Sequence, residues 1–448
     1  MRVQIFKTWN RLRSSFWFLP VVMSTGVVAL AFTTVAMDER ATDWLTLNWG
    51  WKFTGGAEGA SSLLGAIAGS MITIAGVVFS MTLVALSLAS SQLGPRLLQS
   101  FMRNTITQIV LGTFVATFLY CLLVLRTIRR ADEIAFVPQL SVSLGVLLAV
   151  TSVGVLIYFI HHVSVSIQAN EIVARVGTEL IEGIERMFPE NIGRGAPRIP
   201  TEPPDADFLD TFGREASLVG SAEDGYLTFV DGSALMTLAM REDLIIRLER
   251  RPGQYFVAGR PLAMVWPGSK VTDQLKEKIN MAFAMGNQRT SVQDIEFLVD
   301  QLVEIAIRSL STGVNDPFTA ITCVDHLGSA LCRLAQRDMP SPYRHDSQDQ
   351  LRLITPVFTF SGITDAAFNQ IRQYGCTNTA VAIRLLETIA EVARSVHRPE
   401  DRVALLRHAK MIAQGARSGL LEDNDRQEVE ERFQSANQLL SESPDSNN

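Results

Sequence analysis

Residues 59–95 read GASSLLGAIAGSMITIAGVVFSMTLVALSLASSQLGP, a run without one Asp, Glu, Lys or Arg. A helix crosses the hydrocarbon core of a bilayer with about 20 apolar residues. Lipid offers no partners to backbone N–H and C=O groups, so a helix that satisfies them internally is the form such a run must take. This run is longer than one crossing needs, which predicts a tilt, a kink or a re-entrant start. Three more charge-free runs surround it: Ser14–Met37, Asn104–Leu125 and Ile134–Asn170. The expected spans are Phe16–Ala36, Leu63–Ala89, Ile106–Leu125 and Leu140–Ile160.

These runs explain the composition. The chain has 448 residues, 47% hydrophobic and only 19% charged, against about 25% charged in a soluble domain. Its net charge of −6 is the sum of two unlike parts. Residues 1–163 carry 11 Lys and Arg against 6 Asp and Glu; residues 164–448 carry 29 against 40. An apolar, basic front half precedes an acidic back half of ordinary composition. A mainly disordered chain is excluded by the apolar content. Nucleic acid is not an expected partner, because the acidic half repels phosphate.

Basic residues in short loops set orientation. Arg2, Lys7, Arg11 and Arg13 precede span one, and Arg96 and Arg103 lie between spans two and three. Both termini are therefore expected in the cytoplasm, although Arg126, Arg129 and Arg130 oppose that assignment. Trp9, Trp17, Trp44, Trp49 and Trp51 flank span one as interfacial rings would. Span one is longer than a signal-peptide core and lacks a small-x-small cleavage site before Asp38, so it reads as an uncleaved anchor. The four cysteines (Cys121, Cys323, Cys332 and Cys376) form no C-x-x-C and suggest neither a disulfide framework nor a zinc site. No metal or cofactor is expected.

The expected fold is an α-helical membrane domain of four transmembrane helices (1–163) followed by a cytosolic α+β region. Ile172, Val176, Leu180 and Ile184 recur at helical spacing through Ile167–Met187, an amphipathic helix. A Pro-rich linker follows, so residues 164–213 join the two parts. Residues 214–270 read as a small β-rich, barrel-like domain. Its hairpin Pro252–Leu262 resembles those of biotinyl carriers, but no lysine lies between Lys52 and Lys270, so a carrier role is closed. Residues 271–448 read as mostly helical, with helices over Thr272–Met285, Val292–Leu310, Pro317–Gln336, Asp365–Tyr374, Thr379–Ser395, Asp401–Ala416 and Asp425–Leu440.

Five strings carry a resemblance: Ala75–Ser80 (AGVVFS), Ala89–Arg96 (ASSQLGPR), Phe159–His162 (FIHH), Asn315–Ala320 (NDPFTA) and Gln370–Gly375 (QIRQYG). Together they resemble a bacterial family of predicted inner-membrane proteins, the domain of unknown function 2254 family. The resemblance implies an inner-membrane location and a membrane domain joined to a soluble one. It implies no reaction.

Function must then be sought in the residues. At 100° per residue, Gly69, Thr73, Gly76, Ser80, Ser87 and Ser91 share one face of span two. Small residues let helix backbones approach, so this face packs against another helix. Alternatively, several subunits place it around an axis as a pore wall, with Arg96 and Arg103 at the inner mouth attracting anions. Adjacent His161 and His162 point about 100° apart and suit an interfacial anchor. In the back half, Arg289, Asp316, Asp325, His326, Arg372 and Tyr374 could line a polar cytosolic pocket. Asp316-Pro317 also reads as a plain helix start. No nucleophile elbow, Walker lysine motif, H-E-x-x-H or Rossmann glycine pattern occurs, so an enzyme is not expected. The leading expectation is an oligomeric pore or transport protein in the lipid bilayer, passing ions, with the cytosolic part as gate or assembly platform. The alternative is a membrane-anchored sensor or scaffold that binds a small ligand or partner. A membrane-bound enzyme using Asp316, Asp325, His326 and Arg372 is a distant third.

Overall fold

A computed structural model describes residues 17–40, 56–94, 105–129, 136–166, 168–188 and 204–442. Arg96, Arg103, Trp9, Trp44, Trp49 and Trp51 lie outside them. The chain divides into two compact units, Thr8–Glu171 and a second that takes in Ile172–Asn448.

The first unit holds four helices long and apolar enough to cross a membrane. They are α1 (Phe18–Arg40), α2 (Ala57–Leu93), α3 (Thr105–Thr127) and α4 (Gln139–Ser166). Helix α2 is continuous, so the long charge-free run contains no re-entrant piece. At about 1.5 Å per residue it spans roughly 55 Å, well beyond a hydrocarbon core of about 30 Å. It ends at Gly94, whose φ of +117° is open to glycine. Helix α3 packs against the other three and is the most buried of the four. Two glycines permit close approach. A Cβ on Gly112 would meet Met23 Sδ at 2.6 Å and Pro20 Cα at 3.2 Å; one on Gly145 would meet Leu64 Cδ2 at 3.0 Å.

Polar groups inside this unit are paired, as a low-dielectric interior demands. The Tyr120 hydroxyl donates to Ser141 O at 3.1 Å and also bonds Thr34 at 3.1 Å. Thr117 and Ser152 bond each other at 3.1 Å. The Asp38 carboxylate accepts from the backbone N–H groups of Leu140 and Ser141, both at 2.9 Å, and from Ser141 Oγ at 2.6 Å. Those N–H groups belong to the first turn of α4, which has no intrahelical partners for them. A carboxylate there also faces the positive end of the helix dipole.

The second unit begins along α5 (Ala169–Met187). Its apolar stripe of Ile172, Val176, Leu180 and Ile184 is fully buried. Gly177 lies so close to His326 that an added Cβ would clash with the imidazole. Helix α6 (Ala206–Glu215) then occupies part of the expected linker. The β-rich part is not a closed barrel. It consists of two open sheets, one of five strands and one of three. The first orders β1 (Ser217–Gly220), β5 (Pro261–Trp266), β3 (Ile245–Leu248), β8 (Leu351–Ile354) and β7 (Tyr343–His345). The second orders β4 (Tyr255–Phe256), β2 (Gly225–Val230) and β6 (Phe283–Gly286). Closure fails because β3 pairs with distant β8 in parallel and with β5 antiparallel, giving a mixed sheet with free edges. Helix α7 (Gly232–Glu242) starts where Asp231 accepts from Ala234 N at 3.0 Å. Its buried Leu235, Leu238 and Ala239 join Leu227, Ile246, Phe256, Leu262 and Val265 in one core.

The expected helix Thr272–Met285 is shorter: α8 covers Asp273–Asn280, and Phe283–Gly286 is strand β6. The Asn280 side chain turns outward, donating to Gly220 O at 3.1 Å and accepting from Ala222 N at 3.0 Å. The helical remainder comprises α9 (Ile295–Ser309), α10 (Pro317–Ala335), α11 (Phe360–Gly375), α12 (Thr379–Ser395), α13 (Pro399–Gly419) and α14 (Asp423–Ser441).

Candidate functional site

Helix α2 separates two faces. Ala60, Leu64, Ala68, Met71, Ala75 and Val78 are buried, at spacings of three and four that form one helical seam. The other face stays uncovered. Gly69, Thr73, Gly76, Ser80 and Ser87 are all exposed. A Cβ added at Gly65, Gly69 or Gly76 would meet nothing within 4 Å. The described side chains of this helix end at Leu88, short of Ser91. Thr73 satisfies its hydroxyl on its own helix, donating to Gly69 O at 2.8 Å. The four-helix unit thus draws its close contacts from Gly112 and Gly145 and leaves the α2 glycines unused. At the end of α4, His162 stacks on Tyr158 with ring centroids 6.0 Å apart.

In the second unit, the expected polar cluster does not converge. Asp316 caps its own helix, accepting from Thr319 N at 3.2 Å and Thr319 Oγ1 at 2.6 Å. Asp325 faces α12, where Arg384 Nε donates to it at 2.5 Å. His326 points to Gly177. Tyr374 is exposed. Arg289 is gripped by two carboxylates, Asp294 at 2.7 Å and Asp300 at 2.6 Å. Burial opposes its charge, but the paired carboxylates outweigh it and hold the guanidinium firmly protonated. Asp294 also accepts from Phe297 N at 3.2 Å, capping α9. Gly253 approaches this carboxylate so closely, at φ +94°, that any Cβ would strike it. Arg372 lies near buried His408 and its partly exposed partner Asp365.

Two charged arrangements were not legible from motifs. The first is a cleft of about 550 Å³ among α10, α12 and α14, within the range of small-molecule sites. Asp325, Arg384, Glu387, Glu391, Arg394 and Arg432 line it. Arg384 reaches Glu387 at 3.2 Å, Arg432 reaches Glu387 at 3.1 Å, and Arg394 pairs with Glu391. Every arginine here is matched by a carboxylate, so the cleft has little net charge. Burial pushes the lining Cys332 thiol upward, away from thiolate chemistry. The second is His408, fully buried on α13, with Nε2 2.7 Å from Asp365 Oδ1. The α10–α12 pair Asp325–Arg384 had a signal in Asp325 alone; its partner lies far along the chain, beyond any spacing rule.

The family model for "Predicted membrane protein (DUF2254)" matches residues 13–391. Proteins described as uncharacterized from Mycobacterium bovis and from Mycobacterium tuberculosis H37Rv are each 32% identical over 384 residues, covering 84% of this chain and 71% of theirs. No solved structure matches the chain. Both the matched length and the four long apolar helices agree, and the chain belongs to the DUF2254 family of predicted membrane proteins.

Proposed function

We propose that this is an inner-membrane protein with both termini in the cytoplasm that assembles through the small-residue face of α2 and passes a solute or ion along it. One observation carries the reading: Gly69 and Gly76 have open space where a Cβ would sit. Lipid tails pack as well on leucine as on glycine, so a strip of glycine and hydroxyl residues gains only when a second backbone approaches. Copies arranged around an axis bring Thr73, Ser80 and Ser87 together as a polar wall. The strip holds no acidic ring, so cations are not selected there by side-chain charge, and Arg96 and Arg103 at one mouth favour anions. The larger unit serves as assembly platform or gate. This reading assigns no catalytic role.

A second reading, a membrane-anchored sensor, draws on the α10–α12–α14 cleft, whose matched charges suit a small zwitterionic ligand. Reconstituted liposomes separate the two. Under the first, the purified chain has an oligomeric mass and conducts ions, and Ser80→Leu or Ser87→Leu lowers the flux about ten-fold or more. A monomer with no flux at any pH or salt composition sinks it and leaves the sensor reading standing.

A further inference from the structure

At one end of the four-helix unit a cavity of about 560 Å³ opens beside α1 and α3. Its two ends differ in chemistry. Phe32, Val35 and Ala36 of α1 and Leu123 of α3 form an apolar wall. Arg126, Arg129 and Glu39 stand at the rim. Arg126 is in the last turn of α3, and Arg129 follows at the start of the connection to α4. Arg129 is pinned there by its backbone N–H, which donates to Phe136 O at 3.2 Å. Both guanidinium groups are on exposed residues. Neither forms an ion pair or a side-chain hydrogen bond with another described residue.

An apolar slot with two guanidinium groups at its mouth, neither in an ion pair among the described residues, matches one class of ligand. A phospholipid carries a phosphate at the interface and an acyl chain that runs into the hydrocarbon. Arginine presents planar paired donors suited to phosphate oxygens. Basic pockets between membrane helices recognise anionic headgroups in this way. A free phosphate would use the rim and leave the apolar wall without an occupant. The rim also explains a cost in the topology. In the orientation proposed above, Arg126 and Arg129 lie on the side where short loops are poor in positive charge, and a bound phosphate compensates them.

We propose that this cavity holds one anionic phospholipid per chain, its phosphate taken by Arg126 and Arg129 and one acyl chain laid along Phe32, Val35, Ala36 and Leu123. Glu39 sits at the same mouth and opposes the anion, so it tempers the affinity. The site is independent of the α2 face and stands whether or not the assembly conducts.

The test uses the full chain, delipidated in neutral detergent and offered phosphatidylglycerol or phosphatidylcholine, with bound lipid counted by native mass spectrometry. One phosphatidylglycerol is retained per chain, in preference to phosphatidylcholine. Each neutralised arginine weakens retention about five-fold, so Arg126→Gln with Arg129→Gln loses the preference. Glu39→Gln strengthens retention by a similar factor. Ala36→Trp fills the slot and lowers retention while leaving the arginines in place. Glycerol phosphate, which has the headgroup without the chain, does not displace the lipid at equal concentration. Equal retention of the two lipids by the unaltered chain overturns the proposal, and that comparison needs no variant to fold. Full retention by the double arginine variant also overturns it. Displacement by glycerol phosphate reassigns the rim to a free phosphate and overturns the lipid.

Discussion

His408 is held without its second proton. Its Nε2 donates to Asp365, while Nδ1 is buried and meets no hydrogen-bond partner. Burial pushes its pKa below the ordinary value, against the pull of Asp365 and with the help of Arg407 and Arg372. The Phe368 ring edge covers the imidazole at 5.8 Å between centroids. A protonated ring would need an acceptor at Nδ1 that this site does not supply. The unfolded chain protonates the same histidine from about pH 6.5 downward. Below that point the unfolded state binds more protons, so stability is full above about pH 6.5 and drains as pH falls. Asp365 adds the same sign at lower pH. Burial pushes its carboxyl up, but bonds from Arg407 and His408 overcome this and hold it below its usual range. The melting temperature of the full chain in detergent should therefore drop between pH 7 and pH 5.5. His408→Gln should flatten that slope and cost about 1–3 kcal/mol at pH 7 through the disturbed Asp365 bond. Parallel slopes for the two proteins would refute the assignment.

At the scale of helices, glycines divide by what faces them. Gly112 is covered by Pro20 and Met23, and Gly76 by nothing. Gly112→Leu should overpack the α1–α3 contact and destabilise by about 1–3 kcal/mol or more. Gly76→Leu should change the stability of a single chain by less than about 0.5 kcal/mol, as at a surface site, yet lower the assembled mass. Thermal melts with light scattering check both, and equal destabilisation would mean that the α2 face is already engaged. Elements were legible where the signal was local. Charge-free length marks all four apolar helices, and the expected helix Thr379–Ser395 agrees with α12 at both ends, its start capped by Asn378, which accepts from Val381 N at 3.2 Å. Elements were misread where the signal was tertiary. Phe283–Gly286 pairs with Tyr226–Val230, a partner that no local pattern names. The β-rich reading of residues 214–270 leaves out helix α7, although an N-cap aspartate, Asp231, opens it. The polar pocket failed for a related reason: Asp325 and His326 are neighbours in sequence, but 100° of helix turns them to different partners.

Across the whole molecule, the proposed orientation rests on the number of crossings: four spans return the chain to the side it left, and the basic residues ahead of the first span favour the cytoplasm for that side. Reporter fusions after Asn448 should then be active in the cytoplasm and silent in a periplasm-only assay, whereas one placed in the loop between α1 and α2 should show the reverse. A periplasmic signal from the C-terminus would invert the topology and, with it, the mouth assigned to Arg96 and Arg103. The membrane architecture was readable because insertion depends on summed hydrophobicity, a local property. The uncovered face of α2 was readable only as composition, since whether a small residue is covered depends on the placement of other helices.

The central place of α3 has a consequence for biosynthesis. A ribosome delivers α1 and α2 to the bilayer before it has made the helix on which both pack. For that interval Leu64, Ala68, Met71 and Ala75 have only lipid beside them, and Thr34 lacks its Tyr120 partner. The first two spans must therefore wait as a loosely associated pair, and the unit closes only after the third has been translated.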